Sequence, residues 1–154
     1  MPAPFYYDHR FEFPVSPETF WATISRTDSY PQWWSWLRKF ESDGMHDGGH
    51  TECVIQAPLP YALRVAIDVE RVVPPERVET RVTGDLEGPA RLEVTPIPSG
   101  CAARLVWLLD MREPRLRRFG RVARPVLGWA HDRLISMGVR QFERVALAEA
   151  PPPR

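Results

Sequence analysis

Four histidines, His9, His46, His50 and His131, are the side chains of this sequence best placed to move a proton near neutral pH. Their surroundings differ. At about 100° per residue, Leu127, Ala130, His131, Leu134, Met137, Gly138, Gln141, Phe142 and Val145 fall in one sector of a helix, opposite Asp132, Arg133, Arg140, Glu143 and Arg144. His131 and Gln141 are therefore polar groups on an apolar stripe, and Gly138 leaves that stripe locally empty. An imidazole so placed can orient the polar end of a ligand or transfer a proton. The competing reading is a histidine that caps a backbone group in a filled core. His9 poses the same choice, because it alternates with Tyr7 and Phe11 on one face of a strand. Tyr61, Leu63, Val65 and Trp107 fall on the inward faces of later strands, and Trp34 lies in the aromatic run Tyr30-Pro31-Gln32-Trp33-Trp34-Ser35-Trp36. These residues form the expected wall of a cavity: Tyr7, His9, Trp34, Tyr61, Leu63, Val65, Trp107, Leu127, His131, Leu134 and Gly138.

Met45-His46-Asp47-Gly48-Gly49-His50 offers two imidazoles and a carboxylate, but it straddles a hairpin tip with no further ligand at metal spacing. It reads as an exposed turn, and no metal site is expected. The sequence carries no nucleophile elbow, phosphate-cradling glycine loop or dinucleotide fingerprint. No catalytic residue is assigned, and no cofactor is expected.

Arg112, Arg115, Arg117, Arg118, Arg121 and Arg124 crowd one short stretch whose Leu116, Phe119, Ala123 and Val126 keep an apolar face. A basic amphipathic segment over Arg115–Arg124 suits peripheral contact with an anionic membrane; the alternative is a solvated face paired with Glu87, Asp110 or Glu113. Nucleic acid fits worse, because twenty basic and twenty acidic side chains cancel and no base-stacking module is visible. Trp129 projects from the polar side of the helical wheel, either as a partner surface or turned inward by a distortion at Pro125 and Gly128.

The elements that must position these groups follow from periodicity. Residues 5–13 alternate as a half-buried strand. Ser16-Pro17-Glu18 then supplies an N-cap, a first-position proline and an early carboxylate, which predicts a helix from 17 to about 26 burying Phe20, Trp21 and Ile24. A helical turn near Tyr30 opens into a strand through about Asp43, and Gly48-Gly49 predicts a two-residue hairpin turn. Strands follow from Tyr61 to a stop at Pro74-Pro75, over 77–83, over 90–97 after Gly88-Pro89, and over 101–112. Seven strands with short connections imply an antiparallel sheet, and a helix near 115–148 closes the chain. This order predicts an α+β fold with the long helix across one face of the sheet.

A chain of 154 residues suits one domain, which at this size buries about 70% of the surface its unfolded form exposes. One domain over 1–150 is expected, with 151–154 a disordered tail. Cys53 and Cys101 are too few for a disulfide framework and read as reduced core thiols in a cytoplasmic protein. The N-terminus lacks a signal-peptide pattern, and no run approaches a membrane span.

Val15-Ser16-Pro17-Glu18-Thr19-Phe20-Trp21, Tyr30-Pro31-Gln32-Trp33-Trp34, the Gly48-Gly49-His50-Thr51 hairpin and Arg124-Pro125-Val126-Leu127-Gly128-Trp129-Ala130-His131-Asp132 together resemble the START-like, helix-grip (SRPBCC) superfamily, often labelled polyketide cyclase/dehydrase and lipid transport. The resemblance spans about 5–148 and implies a curved seven-stranded antiparallel sheet gripping the C-terminal helix, with two short helices after the first strand. It specifies fold better than function, since the architecture hosts transporters, receptors, cyclases and oxygenase domains. Few titratable groups fall on inward faces. The leading expectation is therefore binding or transport of a small hydrophobic molecule, lipid or polyketide-like, without catalysis. The alternatives are an aromatase/cyclase-like enzyme acting on a polyketide-type substrate, and a protein-interaction module with a filled core.

Overall fold

The computed structural model describes residues 5–56, 62–112, 118 and 124–147. Strand β1 (Phe5–Phe13) is followed by helix α1 (Pro17–Ile24), a 3₁₀ turn (Thr27–Ser29) and the single-turn helix α2 (Tyr30–Trp33). Strands β2 (Leu37–Ser42), β3 (His50–Gln56), β4 (Ala62–Val73), β5 (Arg77–Gly84), β6 (Leu86–Ile97) and β7 (Gly100–Met111) follow, and helix α3 (Arg124–Gln141) runs into a π-helical turn (Phe142–Leu147). All seven strands join one antiparallel sheet in the order β1-β7-β6-β5-β4-β3-β2. The chain is α+β with a helix-grip fold: the curved sheet wraps the closing helix, and α1 and α2 plug one end.

The local causes are those the sequence announces. The Ser16 hydroxyl accepts from Thr19 N–H at 3.1 Å, Pro17 occupies the first turn, and α1 buries Phe20, Trp21 and Thr23. Helix α1 stops two residues earlier than predicted, and Ile24 is only half-buried. Tyr30 is half-buried against the core, its hydroxyl donating to the Ile24 carbonyl, and desolvation pushes that phenol well above its ordinary range.

Two further boundaries differ from expectation. The β2–β3 connection is not a two-residue turn: β2 ends at Ser42, β3 begins at His50, and the intervening loop is pinned to β4 by Gly48 N–H to the Val69 carbonyl and Val69 N–H to the Gly49 carbonyl, both 2.8 Å. Gly48 has the positive φ of 81°, whereas Gly49 is needed because a Cβ there would strike the Gly44 carbonyl. Strand β6 starts at Leu86 and carries Gly88 within it, at φ 149°, where the β7 carbonyl of Leu108 passes through the space a Cβ would need.

Apolar side chains gather in two clusters. One joins Phe13, Phe20, Trp21, Trp33, Phe142 and Ala146 where the π turn meets α1 and α2. The other lies along β3, β4, β5 and β7 around Cys53, Val65, Val82 and Leu109. The π turn also changes which residues face inward, because its wider repeat leaves Ala146 fully buried and Val145 37% exposed, the reverse of the helical-wheel expectation for Val145. The expected tail at 151–154 lies outside the described residues.

Candidate functional site

Helix α3 and the π turn contribute two adjacent rows with four-residue spacing, Ala130-Leu134-Gly138-Phe142 and His131-Ile135-Val139, to the walls of two adjoining lobes of space between helix and sheet. The inner lobe, about 210 Å³, ends at Phe13, Phe20 and Phe142. The outer lobe, about 290 Å³, is walled by β3, β4, β5 and β7 side chains such as Ile55, Leu63, Val65 and Leu109. Trp36, Trp107, Leu134 and Ile135 belong to both and form the waist.

The polar atoms of the wall are engaged with one another. Trp34 Nε1–H donates to the Gly138 carbonyl at 2.8 Å, Trp36 Nε1–H to Gln141 Oε1 at 3.1 Å, and Trp107 Nε1–H to His131 Nε2 at 3.1 Å. The Thr80 hydroxyl donates to the Ala90 carbonyl at 2.8 Å. An indole N–H can only donate, so His131 Nε2 accepts, and the proton of the neutral ring sits on Nδ1, which faces Asp132 Oδ1 at 3.3 Å. Tyr7 stacks on Trp107 with ring centroids 4.6 Å apart and meets His131 edge-on at 5.0 Å. Burial, and after it the Asp132 carboxylate, raises the Tyr7 pKa, so the phenol stays protonated at neutral pH.

Of the residues singled out from sequence, Trp107, His131 and Leu134 come together with Leu63 and Val65 in the outer lobe, and Trp34 and Gly138 line the inner one. Tyr7 backs the Trp107 ring without lining the cavity. His9 is exposed, its ring between Tyr7 at 6.1 Å and Phe11 at 4.6 Å, so it is not part of the wall. Gly138 shares the inner lobe with Trp107, while Leu63 and Val65 line the outer lobe alone. A Cβ at Gly138 would meet Trp36 Cζ2 at 3.3 Å and Trp34 Nε1 at 3.7 Å, so the glycine lets two tryptophans approach the helix. Tyr61, the side chain of Leu127 and the basic run 115–123, apart from an exposed Arg118, lie outside what is described. Trp129 is 56% exposed with the Arg133 guanidinium 5.7 Å above its ring.

Sequence reasoning missed Phe11, Phe13, Phe20 and Trp36 as wall residues. Alternation along β1 placed the first two inward, and the two-residue spacing of Trp34 and Trp36 was a usable signal for the other side. Cys53 and Cys101 are buried free thiols whose pKa burial pushes up to about 11 in each case, with Glu18 adding to the effect at Cys101, so neither is a nucleophile at neutral pH. At the hairpin, His50 Nδ1 pairs with Asp68 at 2.6 Å, and no group of three metal-ligating side chains forms among the described residues.

The sequence model of the family described as polyketide cyclase / dehydrase and lipid transport matches residues 7–146. No curated protein matches the chain in sequence. Among solved structures, the chain is similar to TTHA0849 from Thermus thermophilus, with a TM-score of 0.77 and 14% identity over 95% of this chain and 99% of that one. It is also similar to a START superfamily protein from Mycobacterium smegmatis, with a TM-score of 0.71 and 14% identity over 93% and 97% of the two chains. A protein of unknown function, SA2116 from Staphylococcus aureus, gives a TM-score of 0.65 and 14% identity over 92% and 94%. At these identities the likeness is one of fold.

Proposed function

The chain belongs to the polyketide cyclase / dehydrase and lipid transport family, and we propose that it is a binding protein for a small hydrophobic molecule held between sheet and helix, not an enzyme. The observation that carries this reading is the self-satisfied wall: the Trp34, Trp36, Trp107 and Thr80 donors are all engaged within it. No Lys, Arg, Asp or Glu lines either lobe among the described residues. A wall of this kind recognises a guest by shape and by removal of apolar surface from water, about 25 cal/mol per Å². Catalysis on a polyketide-type substrate would need converging acid and base groups, and among the described residues the wall offers one imidazole, already paired with Trp107. Two buried free thiols are consistent with a reducing, cytoplasmic setting. No helix among the described residues is long and apolar enough to cross a membrane.

Titration with N-phenyl-1-naphthylamine tests the proposal. A saturable rise in fluorescence with one site per chain is expected, and its absence would overturn the binding reading. His131→Phe tests whether the imidazole is needed for binding: probe affinity should stay within about threefold of the parent, because the imidazole is a wall element and not a required contact.

An anionic membrane as the source of the guest is the second element of the proposal. It is supported by the arginine spacing in the sequence from Arg115 to Arg124 and by Trp129, exposed on α3 beside Arg133. Phosphatidylglycerol vesicles should retain the protein at low salt and release it as salt rises, while pure phosphatidylcholine vesicles should not retain it. Equal retention by both, or by neither, rejects the membrane.

A further inference from the structure

The cavity changes chemistry along its length. Phe11, Phe13, Phe20, Trp34 and Phe142 line the inner lobe alone, interleaved with the aliphatic Ile24, Leu92, Leu105 and Val139, whereas the outer lobe beyond the shared waist is aliphatic among the described residues apart from Thr80 and His131. The inner rings pack with one another at mixed angles: Phe13 stacks on Phe20 at 5.2 Å, Trp34 stacks on Trp36 at 5.7 Å, and Phe142 meets Phe13 and Phe20 edge-on. Such a wall presents both faces and edges, which suits a flat ring better than a flexible chain. The outer lobe, with Ile55, Leu63, Val82, Leu86 and Met111, offers methyl and methylene surface to an alkyl chain. The two lobes follow one another along α3: Ala130 and His131 border the outer, Leu134 and Ile135 both, and Gly138, Val139 and Phe142 the inner. At about 1.5 Å rise per residue this wall is roughly 18 Å long. Close packing, about three quarters of the volume filled, leaves the 210 Å³ inner lobe room for a fused bicyclic ring.

We infer that the guest is a neutral molecule with two unlike halves, a flat fused ring seated in the inner lobe and an aliphatic chain extending past the Trp36–Trp107 waist into the outer lobe. This rests on the binding reading above and adds the chemical class. Neutrality follows from the described wall: no Lys, Arg, Asp or Glu lines either lobe among the described residues, so an ionised group drawn in would lose its water without gaining an opposite charge from them.

The test uses four probes on the full-length protein: naphthalene, 1-decanol, decyl 2-naphthyl ether and decanoate, the last at neutral pH. Naphthalene and 1-decanol should bind together without displacing one another, the ether should displace both, and the ether should bind at least about a hundredfold more tightly than either half. Decanoate should bind at least about tenfold more weakly than 1-decanol. Ala103→Leu, which adds bulk to the inner lobe, should weaken naphthalene about tenfold and leave 1-decanol unchanged, and Ala90→Leu in the outer lobe should do the reverse. Competition between naphthalene and 1-decanol in the parent protein needs no variant to fold; mutual displacement means one undivided chamber and overturns this inference while leaving the binding reading intact. Decanoate binding as tightly as 1-decanol overturns neutrality. If none of the probes binds, the binding reading itself falls.

Discussion

At its C-terminal end the final helix is in ring-to-ring contact with the rest of the molecule: Phe142 lies 5.8 Å from Phe13, 5.5 Å from Phe20 and 5.6 Å from Trp33, and Ala146 is fully buried. About three turns earlier the same helix borders open volume, and there the sheet reaches it through the Trp107–His131 hydrogen bond and the edge-on contacts of the Tyr7 and Trp107 rings with the imidazole. The contrast teaches how a sheet can hold a helix without filling the space beneath it. Aromatic packing at one end fixes the helix, so the other end can stand away from the strands. The largest expected effect breaks that anchor. Phe142→Ala should cost about 3–5 kcal/mol in urea unfolding, whereas Leu134→Ala, which borders space already empty, should cost nearer 2 kcal/mol. Equal losses at the two positions would mean that the helix is held evenly along its length.

The anchored end was the more legible of the two in the sequence. Ser16-Pro17-Glu18 has only one sensible local structure, and Phe13, Phe20 and Phe142 sit where period-2 and helical spacing place them. All seven strands were foreseen for the same reason: alternation and glycine or proline punctuation are local signals. The cavity was only half legible. Leu63, Val65, Trp107, His131 and Leu134 lie in its wall, but Ile135 and Val139 were missed because a regular wheel centres the buried sector elsewhere, and the π turn that moves Val145 outward has no signature in the sequence. His9 shares the inward face of β1 and yet stays exposed, because alternation reports which face a side chain takes and not what covers that face.

Gly138 lies between the two regimes, and its substitution sharpens the comparison. A leucine there must displace Trp36, whose Cζ2 would be 3.3 Å from the new Cβ, and disturb Trp34, whose indole donates to the Gly138 carbonyl at 2.8 Å. Overpacking of this kind should destabilise by about 1–3 kcal/mol and reduce N-phenyl-1-naphthylamine binding as well. Gly138→Ala asks less. The gain in helix propensity, about 0.5–1 kcal/mol, offsets a shift of a few tenths of an ångström in Trp36, so its melting temperature should stay close to the parent's. A leucine variant at least as stable as the parent would show that the tryptophans are not packed against the helix here.

The smallest expected effect concerns a region that touches neither end of the helix, and it serves as the control. His50 on β3 pairs through Nδ1 with Asp68 on β4 at 2.6 Å, with Glu52 3.9 Å from its other nitrogen, and its pKa is raised above 6.5, first by the Asp68 hydrogen bond. A group whose folded pKa exceeds its unfolded value stabilises fully below the unfolded pKa and loses that contribution as pH rises through the folded one. His50→Gln should therefore lower the melting temperature at pH 5 and match the parent at pH 9. The shift should be small because both side chains are about half exposed. His46 adds a second contribution of the same sign: its two ring nitrogens face the Asp47 and Asp43 carbonyls at 3.1 and 3.0 Å, and only the doubly protonated ring donates to both. A His46→Gln, His50→Gln double variant should thus lose more of the acid-side stability than either single change. Neither should alter probe uptake at any pH, since none of His46, His50 and Asp68 lines either lobe. If removing these histidines changed probe affinity between pH 5 and pH 9, the hairpin and the helix would be coupled, and the independence of the two ends would have to be given up.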